Sequence, residues 1–266
     1  MQNASFSVLE STDEQLLSID EQTIRLVARK RLAGKSLLAL AAAQVFYEQS
    51  AKLRTHVSFR WRQNTVATRA YCAMTVREFE GINARQRWSN WRTIPRNLNG
   101  QVPSGRLNVL DLCCGVGHST EVLACYLAPG SRILGLEYNP EFVSLARARV
   151  YRTLFGKRAD VRFRAQSVLE VFRDENGHVV ADRTIDLVNS CGAVAHHFDN
   201  ATTEKLAAEV ARVVKPGGMA MIDCGRAGTN RPMLLNIFKR LDFKPVNEAK
   251  SCFADSALQI CFKKRF

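Results

Sequence analysis

The sequence predicts an α/β fold, a mostly parallel sheet with helices on both faces. Three observations carry this. From residue 107 onward, short β-rich apolar runs alternate with helical stretches of roughly 10–15 residues, the pattern of βαβ units. The first run, 108–112, passes directly into a loop bearing Gly115 and Gly117 that opens a helix. A second run ends on an acid, Glu137, which stands 22 residues after Gly115.

Taken in order, "NVLDL" (108–112) reads as a strand and "EVLACYLA" (121–128) as a helix. "RILGLEY" (132–138) is the next strand, and 140–155 reads as a helix with Pro140 in its first turn. Strands follow at 160–165 and 184–190. A helix over 201–214 is stopped by a turn, Lys215-Pro216-Gly217-Gly218. A strand at 219–225, a helix at 232–241 and a final strand at 256–264 complete the series. Residues 1–106 differ. They are helix-rich over 20–53, where Leu37, Leu38, Ala41, Ala42, Val45 and Phe46 fall on one face that core packing would bury. A further helix over 69–98 is expected to end before Pro95, and 99–105 is a turn-rich linker. The organisation expected is therefore a helical N-terminal cap or lid over 1–106 and a sheet domain over 107–266.

Composition narrows the function classes. The 266 residues are 46% hydrophobic and 24% charged, which suits a packed core. The longest nearly apolar run, 36–46, is far shorter than the roughly 20 residues of a membrane span, and the polar, acidic opening is unlike a secretory signal. A cytoplasmic location is the expectation. Eight cysteines include no C-x-x-C pair and lie mostly in apolar runs, so they read as reduced, buried thiols, with no metal site expected. The net charge is +13, and residues 51–106 carry eleven Lys/Arg against two acids. That bias fits an anionic partner or a solvated basic face.

The loop itself reads G-V-G-H-S-T, without the third glycine of a dinucleotide fingerprint. Its setting is more informative. A strand-loop-helix turn offers bare backbone N–H groups to a ligand crossing the strand ends, and an acid at the end of the next strand can accept both hydroxyls of a ribose.

On these residues the stretch 107–266 resembles the class I S-adenosylmethionine-dependent methyltransferases, whose sheet is Rossmann-like and seven-stranded. "DLCCGVG" matches the family's D-x-G-C-G-x-G motif, with Cys113 in place of its first glycine. "LGLEYNPEFV", "IDLVNSCGAVAHHF" and "VVKPGGMAMID" match the ribose acid, the fourth strand and the entry to the fifth. The resemblance implies S-adenosylmethionine as cofactor. It places Cys113, Gly115 and Gly117 against the methionine part, with Asp111 orienting that loop. Glu137 is implied on the ribose and Tyr138 on the adenine. Ser167 stands in for an adenine-binding acid that is here replaced by Gln166-Ser167-Val168, and Asn189 or Ser190 offers a carbonyl to the ammonium. His196 and His197 lie at the mouth of the sheet and are candidate bases, because histidine ordinarily titrates near ~6.5.

The segment after the fourth strand bears on the acceptor. The Asn/Asp-Pro-Pro-aromatic motif of nucleic-acid amine methyltransferases and the Pro-Cys of RNA cytosine enzymes are both absent there. The pattern resembles the small-molecule branch, acting on an O, N or C nucleophile of an aromatic or anionic acceptor. An RNA-directed enzyme using the basic 51–98 segment is the alternative, since Trp88 and Trp91 interleave with arginines in it. In that segment Arg92 is the expected partner of the cofactor's carboxylate.

Overall fold

The structure, a computed structural model, describes residues 20–55, 71, 73–100, 105–225, 228–252 and 257–266. The opening residues 1–19, Cys72, positions 56–70 of the basic stretch and 101–104 of the linker lie outside the described residues.

Among the described residues, four helices precede the sheet: α1 (Glu21–Arg31), α2 (Leu37–Thr55), α3 (Val76–Ile82) and α4 (Ala84–Leu98). Then come β1 (Asn108–Leu112), α5 (His118–Tyr126), β2 (Arg132–Glu137), α6 (Pro140–Ala148), β3 (Asp160–Ala165) and β4 (Ile185–Ser190). The chain ends with α7 (Val194–His197), α8 (Asn200–Val213), β5 (Val214–Cys224), α9 (Arg231–Arg240), β6 (Phe243–Ala249) and β7 (Leu258–Lys264). The strands form one sheet in the order β3-β2-β1-β4-β5-β7-β6. All pairings are parallel except those of β7, which runs antiparallel to both neighbours. β1 pairs with β2 on one side and β4 on the other, so the winding reverses there. Ligands of open α/β sheets bind at the carboxyl ends of strands at such a reversal.

Successive β1 residues feed opposite faces of the sheet. Val109 joins Trp91, Ile94 and Leu98 of α4 and Ala28 and Leu32 of the α1 region in one core. Leu110 and Leu112 join Val210, Phe238 and Phe262 in the other. α1 and α4 thus share a core with the sheet. α2 does not: Leu38 is 83% exposed and Phe46 66% exposed, with Val45 also exposed, which corrects the expectation that core packing buries this face.

Three boundaries differ from the sequence reading. α4 continues through Pro95 to Leu98, because a proline in the last turn forfeits one hydrogen bond while its ring is buried. α6 stops at Ala148, well short of 155; the chain turns extended at Arg149, and the Tyr151 hydroxyl donates back to the Ala146 carbonyl at 2.9 Å. The Lys215–Gly218 turn does stop α8, yet it lies inside β5 as a bulge, with Val214 opposite Ile185 and Met219 opposite Leu187. Gly217 supplies the positive φ of +75° there. The edge strand β6, whose sequence mixes apolar residues with Lys244, Asn247 and Glu248, has no counterpart in the sequence reading.

Candidate active site

At the carboxyl ends of β1 to β4 lies a cavity of about 290 Å³. Its floor is the loop Cys113–Gly115, and its flanks are Glu137 and Tyr138 after β2, Ser167–Leu169 after β3, and Cys191–Ala193 with His197 and Phe198 after β4. α3 and α4 close it from above with Phe79, Asn83, Gln86, Arg87 and Asn90.

The loop is built for close approach. Gly115 (φ +56°) faces the cavity, and a Cβ there would sit 2.6 Å from the Phe79 ring. Gly117 (φ +85°) faces the other way; its Cβ would meet the Tyr151 hydroxyl at 2.0 Å. Only Gly115 of the two lines the cavity, and Gly117 packs the start of α5 against Tyr151. Cys113, where the family motif has glycine, adopts φ +54°, a left-handed conformation that costs a residue with a Cβ roughly 1–2 kcal/mol. Burial and the nearby Glu137 carboxylate push the Cys113 thiol up, as burial and Asp111 do for Cys114, so both stay protonated.

Glu137 is 1% exposed. Its carboxylate accepts from the Gly115 N–H at 3.0 Å and the Asn139 N–H at 2.8 Å, and the Tyr71 hydroxyl hydrogen-bonds to it. Burial raises its pKa, and these donors pull the other way. Glu137 therefore ties the end of β2 to the glycine loop while remaining in the cavity wall.

Asp111 is fully buried behind the loop. It accepts from Ser119 Oγ (2.8 Å), Thr120 Oγ1 (2.5 Å) and Asn189 Nδ2 (2.7 Å). Burial pushes it up to about 6. Asn189 Oδ1 accepts in turn from Gln259 Nε2 at 2.9 Å, and Gln259 Oε1 accepts from Asn97 Nδ2 at 3.0 Å. A buried polar chain thus runs from α4 through β7, β4 and β1 to α5. Ser190 Oγ donates to Asp223, which also accepts from the Ala195 N–H and so fixes the segment after β4. The Ser190 carbonyl accepts from Gln259 at 2.8 Å. Asp111, Gly117, Asn189 and Ser190 stand behind the cavity wall; Ser190, although it ends β4, is engaged by Asp223 and Gln259. Cys113, Gly115, Glu137, Tyr138 and Ser167 line it.

The two histidines separate. His197 lines the cavity, while His196 lies outside it with its ring centre 6.3 Å from that of His197. Burial, with a smaller contribution from His196, pushes His197 down to about 4, so its ring is neutral near pH 7.

Arg92 is placed elsewhere, which corrects the sequence reading. Its guanidinium lies over Trp88, 3.7 Å from the ring centre, in a separate cavity on the opposite face of α4. Arg96 is paired with Glu21, and Trp91 is buried in the core against Tyr126. The cation of α4 that reaches the glycine-loop cavity is Arg87. Arg87 Nε and, from α5, His118 Nε2 are buried without a hydrogen-bond partner among the described residues. Burial, then Arg87 and Arg149, hold the His118 pKa well below the usual histidine value. Sequence reasoning missed Asn83, Gln86, Arg87, Asn90 and His118. The signal of the first four was a polar stripe at helical spacing on α4 and its N-terminal boundary, which reads equally as a solvated face; His118 opens α5.

Residues 109–218 match the family model described as a methyltransferase domain. This part of the chain is thus a methyltransferase domain, and the reversal at β1 and β4, the antiparallel β7 and the glycine loop beside a strand-end acid are what the resemblance to the class I S-adenosylmethionine-dependent methyltransferases implies. Human thiol S-methyltransferase TMT1A is 32% identical over 116 residues, 44% of this chain and 41% of that protein. Demethylmenaquinone methyltransferase of Lactobacillus johnsonii is 27% identical over 113 residues, 41% of this chain and 40% of that protein. The matches thus span about two-fifths of the length of these curated relatives. Among solved structures, a TehB-like SAM-dependent methyltransferase of Corynebacterium glutamicum is similar at a TM-score of 0.47 and 19% identity, covering 64% of this chain and 86% of that one.

The residues present fit the family's cofactor. The buried Glu137 stands at the end of β2, and Gly115 leaves the backbone bare. Arg87 Nε and His118 Nε2 reach the wall without a hydrogen bond, although Arg87 Nη2 lies 3.5 Å from Glu121 and His118 Nε2 3.8 Å from Glu80. No helix among the described residues is long and apolar enough to cross a membrane.

Proposed function

We propose that the protein transfers a methyl group from S-adenosylmethionine to a small acceptor with an apolar body. The observation that carries this is the buried Glu137 carboxylate held beside Gly115 at the winding reversal of the sheet. S-adenosylmethionine, when bound, supplies an electrophilic methyl on a sulfonium.

Each residue has a role in this reading. Glu137 accepts the ribose hydroxyls, and its ties to Gly115 and Asn139 hold it in place before binding. Gly115 and Cys113 line the methionine part, with Gly117 and Asp111 holding the loop from behind. Tyr138, 56% exposed, and Ser167 flank the adenine. Arg87 takes the carboxylate role first read onto Arg92. Asn189 and Ser190 act through the buried chain to Gln259 rather than by contact.

Acceptor size follows from the walls. Phe79, Val168, Leu169 and Phe198 form apolar surface, and α3 with α4 covers the loop. Such a covered cavity suits a small molecule better than a polymer. Both curated relatives are named for small acceptors, a thiol in one and demethylmenaquinone in the other. A histidine near pKa 4 is a weak base, so His197 orients a protic acceptor by accepting its hydrogen bond more than it removes the proton at equilibrium.

The test is methyl transfer from labelled S-adenosylmethionine to a panel of thiols, phenols and quinols, run beside bulk RNA. Turnover on one of the small acceptors, lost in Glu137→Gln, is the expected result. Turnover on RNA alone would replace this reading.

A further inference from the structure

We propose that the opposite face of α4 is a second ligand site, which binds a small, multiply charged, phosphate-bearing anion. An open cavity of about 810 Å³ lies there between α1, α4 and the segment after β6. Six cations stand in its walls: Arg25 and Arg29 of α1, Lys35 beyond it, Arg92 and Arg96 of α4, and Lys250 after β6. One carboxylate, Glu21, pairs with both Arg25 and Arg96. Arg29, Lys35, Arg92 and Lys250 have no ion pair among the described residues.

The geometry goes beyond a solvated basic patch. Arg92 is half-buried and stacked on Trp88, which fixes its plane; Nη1 donates to the Trp88 carbonyl at 3.4 Å, and the other edge N–H groups are left for a ligand. Arg96 donates to the carbonyls of Lys250 (2.5 Å) and Ser251 (3.3 Å), which holds this segment against α4 and brings Lys250 into the wall. Desolvation, followed by the charges of Arg96 and Arg25, lowers the Arg92 pKa. Cations crowded this way repel one another until an anion enters, and a concave wall concentrates their field. A singly charged anion would offset only part of the excess. Phosphate oxygens match guanidinium forks, and several of them would engage cations from all three walls. This inference does not depend on the reading of the glycine-loop cavity, since the two share no lining residue.

The experiment titrates the full chain with tripolyphosphate by calorimetry at low salt. The expected result is saturable one-to-one binding that weakens with salt and falls about tenfold in an Arg29→Gln/Lys250→Gln double variant. Both side chains are exposed, so an unchanged Tm and unchanged S-adenosylhomocysteine affinity should accompany the loss. Lys35→Gln, outside α1, reads the same loss if the double variant does not fold. A single-stranded RNA oligonucleotide serves as the second probe. No tripolyphosphate binding, binding indifferent to these variants, or RNA binding that tripolyphosphate does not displace would each overturn the proposal.

Discussion

Asn83, Gln86, Arg87 and Asn90 of α4 and its N-terminal boundary face the glycine loop, whereas Trp88, Arg92 and Arg96 face α1 and the segment after β6. The first cavity is walled by polar, apolar and aromatic groups with one carboxylate, Glu137, and a single α4 cation, Arg87; the second is walled mostly by arginines and lysines. Arg87 and Arg92 are five residues apart, which turns a helix by about 140°. They cannot serve one cavity, however alike their chemistry. The stripe a residue occupies on α4 decides its role.

The sharpest way to break this contrast is at the strand end. Glu137→Ala removes the proposed ribose acceptor and leaves the Gly115 and Asn139 N–H groups unsatisfied. Cofactor affinity is expected to fall by about 2–3 kcal/mol, roughly a hundredfold, by calorimetry, while Arg92→Ala leaves it unchanged. Arg87→Ala should cost about tenfold in the same measurement. Equal losses for Arg87→Ala and Arg92→Ala would dissolve the distinction between the faces.

His197→Asn tests the acceptor side. With the ring neutral down to about pH 4, the variant should lower kcat by about 10- to 100-fold with cofactor affinity intact. The wild-type rate should show no His197 titration between pH 5 and 8, and an acid limb assigned to that residue near 6.5 would contradict its burial.

Acid should separate the helices from the sheet. The Arg96 guanidinium pulls Glu21 down to about 2, and Arg54 does the same for Glu78. Folded values below the unfolded 4.5 mean that this stability is complete above about pH 4.5 and is lost as pH falls toward 2. Asp111 runs the other way: raised from 3.8 to about 6, it favours the fold at low pH and gives up that contribution as pH rises through 6. Hydrogen exchange at pH 3 should show amides of α1 and α3 losing protection by on the order of fivefold, the scale of one ion pair, ahead of β1 and β4. Uniform loss across helices and sheet would argue against it.

The smallest effect is expected at Cys113→Gly. Relief of φ +54° offsets the lost side-chain packing, so stability should move by less than about 1 kcal/mol in denaturant unfolding and cofactor affinity should hold.

The sheet was legible because its signals are local. "NVLDL" and "RILGLE" coincide with β1 and β2 almost residue for residue, since buried parallel strands bounded by loops need only a short apolar run. "DVRFRA" coincides with the edge strand β3 because Val161, Phe163 and Ala165 alternate with charged residues. The glycine loop and Glu137 were legible for the same reason: both sit at strand ends, and a strand end is a local feature. β6 was not, because "FKPVNEA" carries a proline and a register shift after it and shows no regular alternation of apolar and polar residues. The end of α6 was obscured by 149–155, whose composition allows a helix until Tyr151 finds the Ala146 carbonyl.

By itself, then, the sequence determined the order of strands and helices from β1 to β5, the glycine loop and the acid beside it, because each depends on residues close along the chain. Tertiary structure alone decided which helix face meets which cavity. It also decided that His197 and not His196 enters the site, that Gly115 and not Gly117 meets the ligand, and that Asn97, Gln259, Asn189 and Asp111 join in one buried chain. Those outcomes depend on how a helix is rotated about its axis when its apolar stripe is buried, and on partners as much as 162 residues apart. Neither is written in any local run of residues.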